Sequence, residues 1–538
     1  MPIRMEDDPT GPQDQGNDDS NYPQRPNTGG GGGGRGIFNL LPLLLGLFRG
    51  KGLIFLLIIG GGLYLFSRSG GCNTGGGGIL NNISNLATGG FLDPKQFEKA
   101  SIYEPLAEDN GRNPLPEAAN LQQYAPAVGN QGHQGSCVAW SSAYGARSVL
   151  EGARTGQKTN AFSPSFLYNQ IGLQECQGSY IIRAMEYMTK QGAVPYNAFP
   201  YDETNCSRQP DMSLIQQASS YKMRGFNRLS PGDRNDAIDM RAIKENLSQG
   251  APVVIGMMVG QSFMQNMMGQ DVWQPEPSDR GMMGFGGHAM CVVGYDDKKY
   301  GGAFLLMNSW GPEWGNNGFA WVRYPEFNYF VREAYGLEPM ARTGDAAASL
   351  QCEIGLVQVQ FGADKKMVPG GYIQLSRVDS NHYRTTSPVK IGSRFKVEVK
   401  NNNECYIYIL GMETDGSAYT LFPYPKKEDP TKTKYSPFCG ITGYRLFPRD
   451  KSMTPDSIGT RDMVAILVSK KELDWYAIQG SINKQVKTLP WPTKVRTAIP
   501  GSVARGVQYS ASQKGNIQFT AQVGENDVVY CIVELDKQ

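Results

Sequence analysis

NQGHQGSCVAWSSAYGARSVLEGARTG, residues 130–156, is the stretch on which the reading of this chain turns. Two glycine turns, at Gly132 and Gly135, lead into Ser136 and Cys137. Small and apolar residues then recur at helical spacing (Ala139, Ser142, Ala143, Ala146), so Cys137 is predicted to open a helix. A thiolate rather than a thiol attacks a carbonyl. The positive end of a helix, with an imidazole nearby, lowers a cysteine pKa from about 8.5 into a range of about 3.5 to 7.5. A small buried cysteine at a helix start is also ordinary packing, so placement alone does not establish chemistry.

A second stretch, GGHAMCVVGYDDKKYGGAFLLMNSWGPEWGNNGFAWVRY at 286–324, supplies the partners. Two strand-like runs, Ala289 to Tyr295 and Ala303 to Met307, flank a polar turn and read as an antiparallel hairpin. His288 enters the first strand and Asn308 leaves the second, so the two side chains can meet at one end of a sheet. The asparagine amide would hold one imidazole nitrogen and leave the other for a thiol. The chain has three histidines. His133, in the turn before Cys137, reads as a hydrated turn residue, and His382 falls in a later region.

Residues 113–345 resemble the papain-like cysteine peptidases, in blocks that follow family order. Gln131 lies six residues before Cys137, where the family places its oxyanion-hole glutamine. The run GSC followed by Trp140 resembles the nucleophile helix, GHAM with VGYDD the histidine strand, and NSWGPEWGNNGF the asparagine block. ECQGSYIIRAMEYMTKQGAVPYNAFPY is similar to the cleft loop and its following helix, and GAPVVIGM to the strand before the histidine. The resemblance implies a two-lobed α+β fold, a helical lobe against an antiparallel β-barrel lobe. It assigns Cys137 as nucleophile, His288 as general base and acid, and Asn308 as its orienter, with Trp310 shielding that bond. Gln131 and the Cys137 N–H would form the oxyanion site.

Departures from the family pattern bear on specificity. Gln134 replaces the cysteine three residues before the nucleophile. The cleft loop reads Cys176, Gln177, Gly178, Ser179, with a serine where a second glycine is usual, so main-chain hydrogen bonding to substrate is expected to change there. Cys176 and Cys206 resemble remnants of the loop disulfides and could pair with each other. Met340 is the candidate floor of the main specificity pocket. No inhibitory helical propeptide is expected in the glycine-rich segment ahead of the domain. The methionines from Met257 to Met283 read as flexible packing rather than as a copper(I) site, and no metal or cofactor is called for.

Around this domain the chain divides by composition. Residues 1–36 are polar, acidic and glycine-rich and are expected to be disordered. Within the apolar region 37–68, residues 52–66 are the candidate transmembrane helix, although they span only about 22 Å. Residues 69–112, with their glycine runs, read as a flexible tether. From 350 to 538 period-two runs such as CEIGLVQVQF, RFKVEVK and VVYCIVEL predict an all-β sandwich-like domain. Its YIYILGMETDGSAYTLFPYP segment resembles a bacterial accessory domain of unknown function, with a protein partner as its conceivable ligand.

With 52 basic and 50 acidic residues there is no charge surplus to hold nucleic acid. Arg35, Arg49 and Lys51 ahead of the apolar run, against Arg68 after it, predict a cytoplasmic N-terminus. The catalytic domain would then be extracytoplasmic, in a periplasm or at a cell surface. The expected function is a membrane-anchored cysteine peptidase, by default an endopeptidase, acting on peptide or protein substrates through a Cys137 thioester. The alternatives are an inactive papain-like module that binds peptide or a partner, and a soluble cytoplasmic enzyme.

Overall fold

The computed structural model describes residues 3–9, 88–108, 111–231, 237–282, 284–340, 349–363, 365, 367–426 and 428–538. The peptidase-like region consists of a helical lobe and a sheet lobe. The sheet runs in the order Phe226–Arg228, Val331–Leu337, Val253–Val259, Gly286–Asp296, Ala303–Met307, Phe319–Arg323, with Ala118–Asn120 added beside Gly286–Asp296. Every pairing in it is antiparallel. The helical lobe is built on the helix that Cys137 opens. It continues through a wider, π-type stretch at Trp140–Arg147 into Ser148–Thr155, and Gly156 ends it in the left-handed conformation at φ 72°. Cys137, Val138, Ala139, Ala143 and Ala146 are buried in one core with Ala289, Cys291 and Met307 of the sheet, so the small residues of the helix let the two lobes approach closely.

The C-terminal region is a sandwich of two eight-stranded sheets. Leu356, Val397, Val399 and Phe519 of one sheet face Ile407, Ile409, Val464 and Ile466 of the other in a shared core. Strict alternation in these strands puts their other side chains on the outer faces. One outer face is covered by two helices the sequence reading did not include, Trp475–Lys484 and Trp491–Ala498. Trp475, Ile478, Ile482, Trp491 and Val495 pack them on Tyr408, Leu410 and Leu467. The domain is thus two sheets with a helical hairpin, not β-structure alone.

Three expectations for the N-terminal region change. Ile3–Asp7, expected to be disordered, is a strand paired antiparallel with Lys451–Pro455 at the sandwich edge, and Ile3 is buried in the sandwich core. Residues 88–108, the end of the expected tether, pack against both domains. The fold class included one transmembrane helix. Among the described residues no helix is long and apolar enough to cross a membrane, and the proposed span at 52–66 lies outside the described residues. Among the described residues the fold is papain-like lobes plus a sandwich.

Candidate active site

Cys137 sits in the first turn of its helix, fully buried, and its Sγ accepts the Ala289 N–H at 3.5 Å. The nucleophile helix of one lobe therefore touches the histidine strand of the other one residue past His288. Cross-strand register brings in the third residue. Cys291 pairs with Met307, so Asn308 leaves its strand beside His288, and His288 Nε2 lies 2.7 Å from Asn308 Oδ1. The Ser309 N–H also donates to Asn308 Oδ1, at 2.8 Å, which fixes the amide with its oxygen toward the imidazole. Nε2 is then the protonated ring nitrogen, and Nδ1 is left with a lone pair and no protein partner. The Trp310 ring stacks on His288 at 4.2 Å and 21°, and at 3% exposure it covers the ring rather than lining an open wall.

Gln131 is also fully buried. Its Oε1 accepts from Ser309 Oγ at 2.7 Å and its Nε2 donates to the Gln134 carbonyl at 2.9 Å. Only one of the two amide N–H bonds is used in that contact, and the Ser309 link ties the glutamine to the asparagine block.

The cleft is filled by the chain itself. The Gly90 N–H donates to the Gly287 carbonyl at 3.0 Å, the Ser179 N–H to the Gly89 carbonyl at 3.0 Å, and the Phe91 N–H to the Ser179 carbonyl at 3.0 Å. Gly90 and Ser179 thus form a parallel bridge. Gly89 has φ 142°, and a Cβ there would meet the Gly135 carbonyl oxygen at 2.3 Å, so only glycine passes this point. Leu92 follows into a pocket beside Gly256, Ile181 and Gly287; a Cβ on Gly256 would lie 2.4 Å from Leu92 Cδ2. Glu333 stands at the same place on Val331–Leu337, its Oε1 accepting the Asp93 N–H at 2.8 Å, and burial pushes its carboxyl up to about 8.

Burial shifts both the thiol and the imidazole. Burial pushes the Cys137 thiol up to about 12 and the His288 imidazole down to about 4, although the Asn308 bond acts the other way on the histidine. The low cysteine pKa expected at a helix start is not present in this closed form. Desolvation outweighs the backbone N–H groups at the helix start.

A profile described as papain family cysteine protease matches residues 115–335. The uncharacterized peptidase C1-like protein L477 of Acanthamoeba polyphaga mimivirus is 30% identical over 240 residues, covering 42% of this chain and 72% of that protein. The chain belongs to the papain family of cysteine proteases. Cathepsin L2 of Homo sapiens is 27% identical over 272 residues, covering 47% of this chain and 72% of its own length. Cathepsin K of Mus musculus is 29% identical over 231 residues, covering 42% and 64%. The chain therefore spans 64% to 72% of the length of these relatives. Xylellain, a cysteine protease from Xylella fastidiosa, superposes over 47% of this chain and 97% of its own, at 23% identity and a TM-score of 0.39.

The remaining expected site residues of this papain-family protease fall in different places. Gly178, at φ 126°, and Ser179 both line the cleft. The serine does not disturb the main chain as expected. Its hydroxyl turns inward to the Ile171 carbonyl at 2.9 Å, and its own N–H and C=O are free to pair across the cleft. Met340 is not in the pocket. Glu333 lies opposite Gly256, whereas Met340 follows Leu337, at the Pro252 end of the same ribbon and away from the cleft. Glu333 was missed because nothing local in VREAYGL marks the carboxyl as cleft-facing; cross-strand register decides it. Cys176 and Cys206 form a disulfide with Cα atoms 6.0 Å apart. His133 is exposed, and His382 lies in the sandwich, 3.2 Å from Glu534. Met257 and Met267 are core residues, and no His, Cys, Asp and Glu cluster able to hold a metal occurs among the described residues.

Proposed function

We propose that the protein hydrolyses peptide bonds through a Cys137 thioester. The observation that carries this is the 2.7 Å contact of His288 Nε2 with Asn308 Oδ1, which leaves the Nδ1 lone pair as the base on the strand that meets Cys137 Sγ. Once the cleft is vacated, His288 Nδ1 takes the thiol proton as Sγ bonds to the scissile carbonyl carbon. The free Gln131 amide N–H and the Cys137 N–H receive the developing oxyanion. His288 returns the proton to the leaving amine as the C–N bond breaks, giving the thioester. Water, deprotonated by His288, then displaces the thiol and releases the carboxylate. An extended substrate would use the Ser179 and Gly287 main chain that now pairs with residues 89–91, and such a groove suits internal bonds of a peptide.

The disulfide between Cys176 and Cys206 supports an oxidising, extracytoplasmic setting for the catalytic domain. A second reading, a module that holds peptide without cutting it, is favoured by the extended segment already seated in the cleft. Labelling of the full chain by a peptidyl epoxide, beside hydrolysis of a fluorogenic peptide library and with Cys137→Ala as control, separates the two. Cys137-dependent labelling with turnover supports the peptidase. Peptide binding without either, in a form whose cleft has been opened, supports the holding module.

A further inference from the structure

The segment that fills the cleft does not end there. After Leu92, Asp93 caps the short helix Pro94–Phe97, and Phe97 is buried edge-on against Tyr335 at 5.1 Å. The next residues run between the two domains. Ile102 bridges Arg228 of the peptidase and Tyr435 of the sandwich at once, both in parallel. The Ile102 N–H donates to the Lys434 carbonyl at 2.8 Å, and the Ser436 N–H donates to the Ile102 carbonyl at 2.9 Å. On the other side the Tyr103 N–H donates to the Arg228 carbonyl at 2.9 Å, and the Arg228 N–H to the Ser101 carbonyl at 2.8 Å.

Side chains divide the same way. Ile102 belongs to the sandwich core, whereas Phe97, Ala100, Tyr103 and Leu106 belong to the peptidase core. Beyond Ile102 the sandwich takes hold again: Arg445 Nε donates to the Glu104 carbonyl at 3.2 Å, and the Ala107 N–H to the Tyr444 carbonyl at 2.8 Å. One continuous strap therefore joins the catalytic cleft to a domain for which no chemistry is assigned.

We propose that the sandwich domain is a clamp, gripping the strap at Ile102 to Ala107 so that Gly89 to Leu92 stay in the peptidase cleft and the protein is held latent. The inference rests on the peptidase reading. Within the cleft the strap has three main-chain bonds of 3.0 Å, a longer one from the Gly89 N–H at 3.4 Å, the bond of the Asp93 N–H to Glu333, and one apolar anchor, Leu92, contacts of a kind that a competing substrate also makes. Its advantage is tethering. Fixing residues 102–107 a few residues away keeps the cleft segment at high effective concentration without any further contact at the site. Glu98 and Lys99, between cleft and clamp, are exposed, so the connection can be cut without opening either core.

The test uses the full chain and reads the rate of Cys137 labelling by a peptidyl epoxide. A specific protease sequence is placed after Glu98 in one variant and after Glu108 in another, and each is cut after folding. Leu92→Asp serves as a third form, emptying the pocket from within. The cut after Glu98 separates the cleft segment from the grip at Ile102 to Ala107, leaving it the bond from Lys426 Nζ to the Glu98 carbonyl at 3.3 Å, and should raise labelling about tenfold or more, whereas the cut after Glu108 leaves both joined and should not. Leu92→Asp should label at least as fast as the cut form. If Leu92→Asp is fast but the cut after Glu98 leaves the slow wild-type rate, the cleft segment holds itself and the clamp is overturned. Wild type labelling as fast as Leu92→Asp overturns latency. No labelling in any form removes the peptidase reading beneath it.

Discussion

Asn308 Oδ1 lies 2.7 Å from His288 Nε2, at the end of two strands paired through Cys291 and Met307, and Trp310 stacks over the ring. The bond selects the tautomer that leaves the Nδ1 lone pair without a protein partner. Asn308→Ala should lower kcat by up to the whole acid–base contribution, about 10² to 10⁴-fold, with KM little changed. Steady-state kinetics on a cleft-opened form measure it. An unchanged kcat would mean that the ring is oriented by packing alone.

Gln131 holds its place through Ser309 and Gln134 and keeps one amide N–H free. Gln131→Ala should cost about 2.7 to 4 kcal/mol in transition-state stabilisation, or about 10² to 10³ in kcat. Epoxide labelling should still occur, because the thiol remains. Loss of labelling together with turnover would instead indicate that the substitution collapses the site.

The pH dependence of stability has a defined sign. His288 ordinarily titrates near 6.5 and is held to about 4 by burial, so between those values the unfolded chain carries a proton that the folded chain does not. Stability attributable to this residue falls as pH drops from 6.5 toward 4, by up to about 3 kcal/mol. Buried Glu104, Glu333 and Glu338, each pushed up to about 8, act in the opposite sense. Their contribution is full below their ordinary range and is lost as pH rises through 8. Urea unfolding of His288→Gln beside wild type isolates the histidine, and the difference between the two proteins should widen from pH 4.5 to pH 7. A constant difference would exclude the linkage.

The Cys176–Cys206 disulfide closes the cleft loop that carries Gly178 and Ser179. Cys176→Ser with Cys206→Ser should lower unfolding free energy by about 2 to 4 kcal/mol. It should also weaken substrate binding more than the chemical step, because the loop supplies main-chain contacts and no reacting group. Thermal melts with KM and kcat on a cleft-opened form test both parts, and a drop in kcat alone would argue against this role.

Much of the candidate site was legible in the linear chain. Gly132, Gly135 and the small residues after Cys137 mark a helix start, and two apolar runs around a polar turn place His288 and Asn308 on one hairpin. Each is a local pattern set by backbone conformation and by side-chain alternation. The alternating runs after 350 likewise announce paired sheets. What escaped the sequence depends on partners far along the chain. Gly89 and Gly90 look like linker because glycine is what flexible segments contain, yet glycine is required at Gly89, where the strap passes Gly135, and at Gly287, where it passes Gly90, both at main-chain contact distance.

Ile3–Asp7 carries too few residues to signal a strand and becomes one only because Lys451–Pro455 offers an open edge. Glu333 rather than Met340 faces the pocket because cross-strand register, not sequence distance from Asn308, decides which side chains share a face. The sequence by itself determined where Cys137, His288 and Asn308 stand and the elements that carry them, since those follow from near-neighbour geometry. Only the tertiary structure decided that the cleft is filled, that burial shifts its thiol up and its imidazole down, and that the sandwich contacts the strap. Each of these arises from burial between segments hundreds of residues apart, a cause with no local trace.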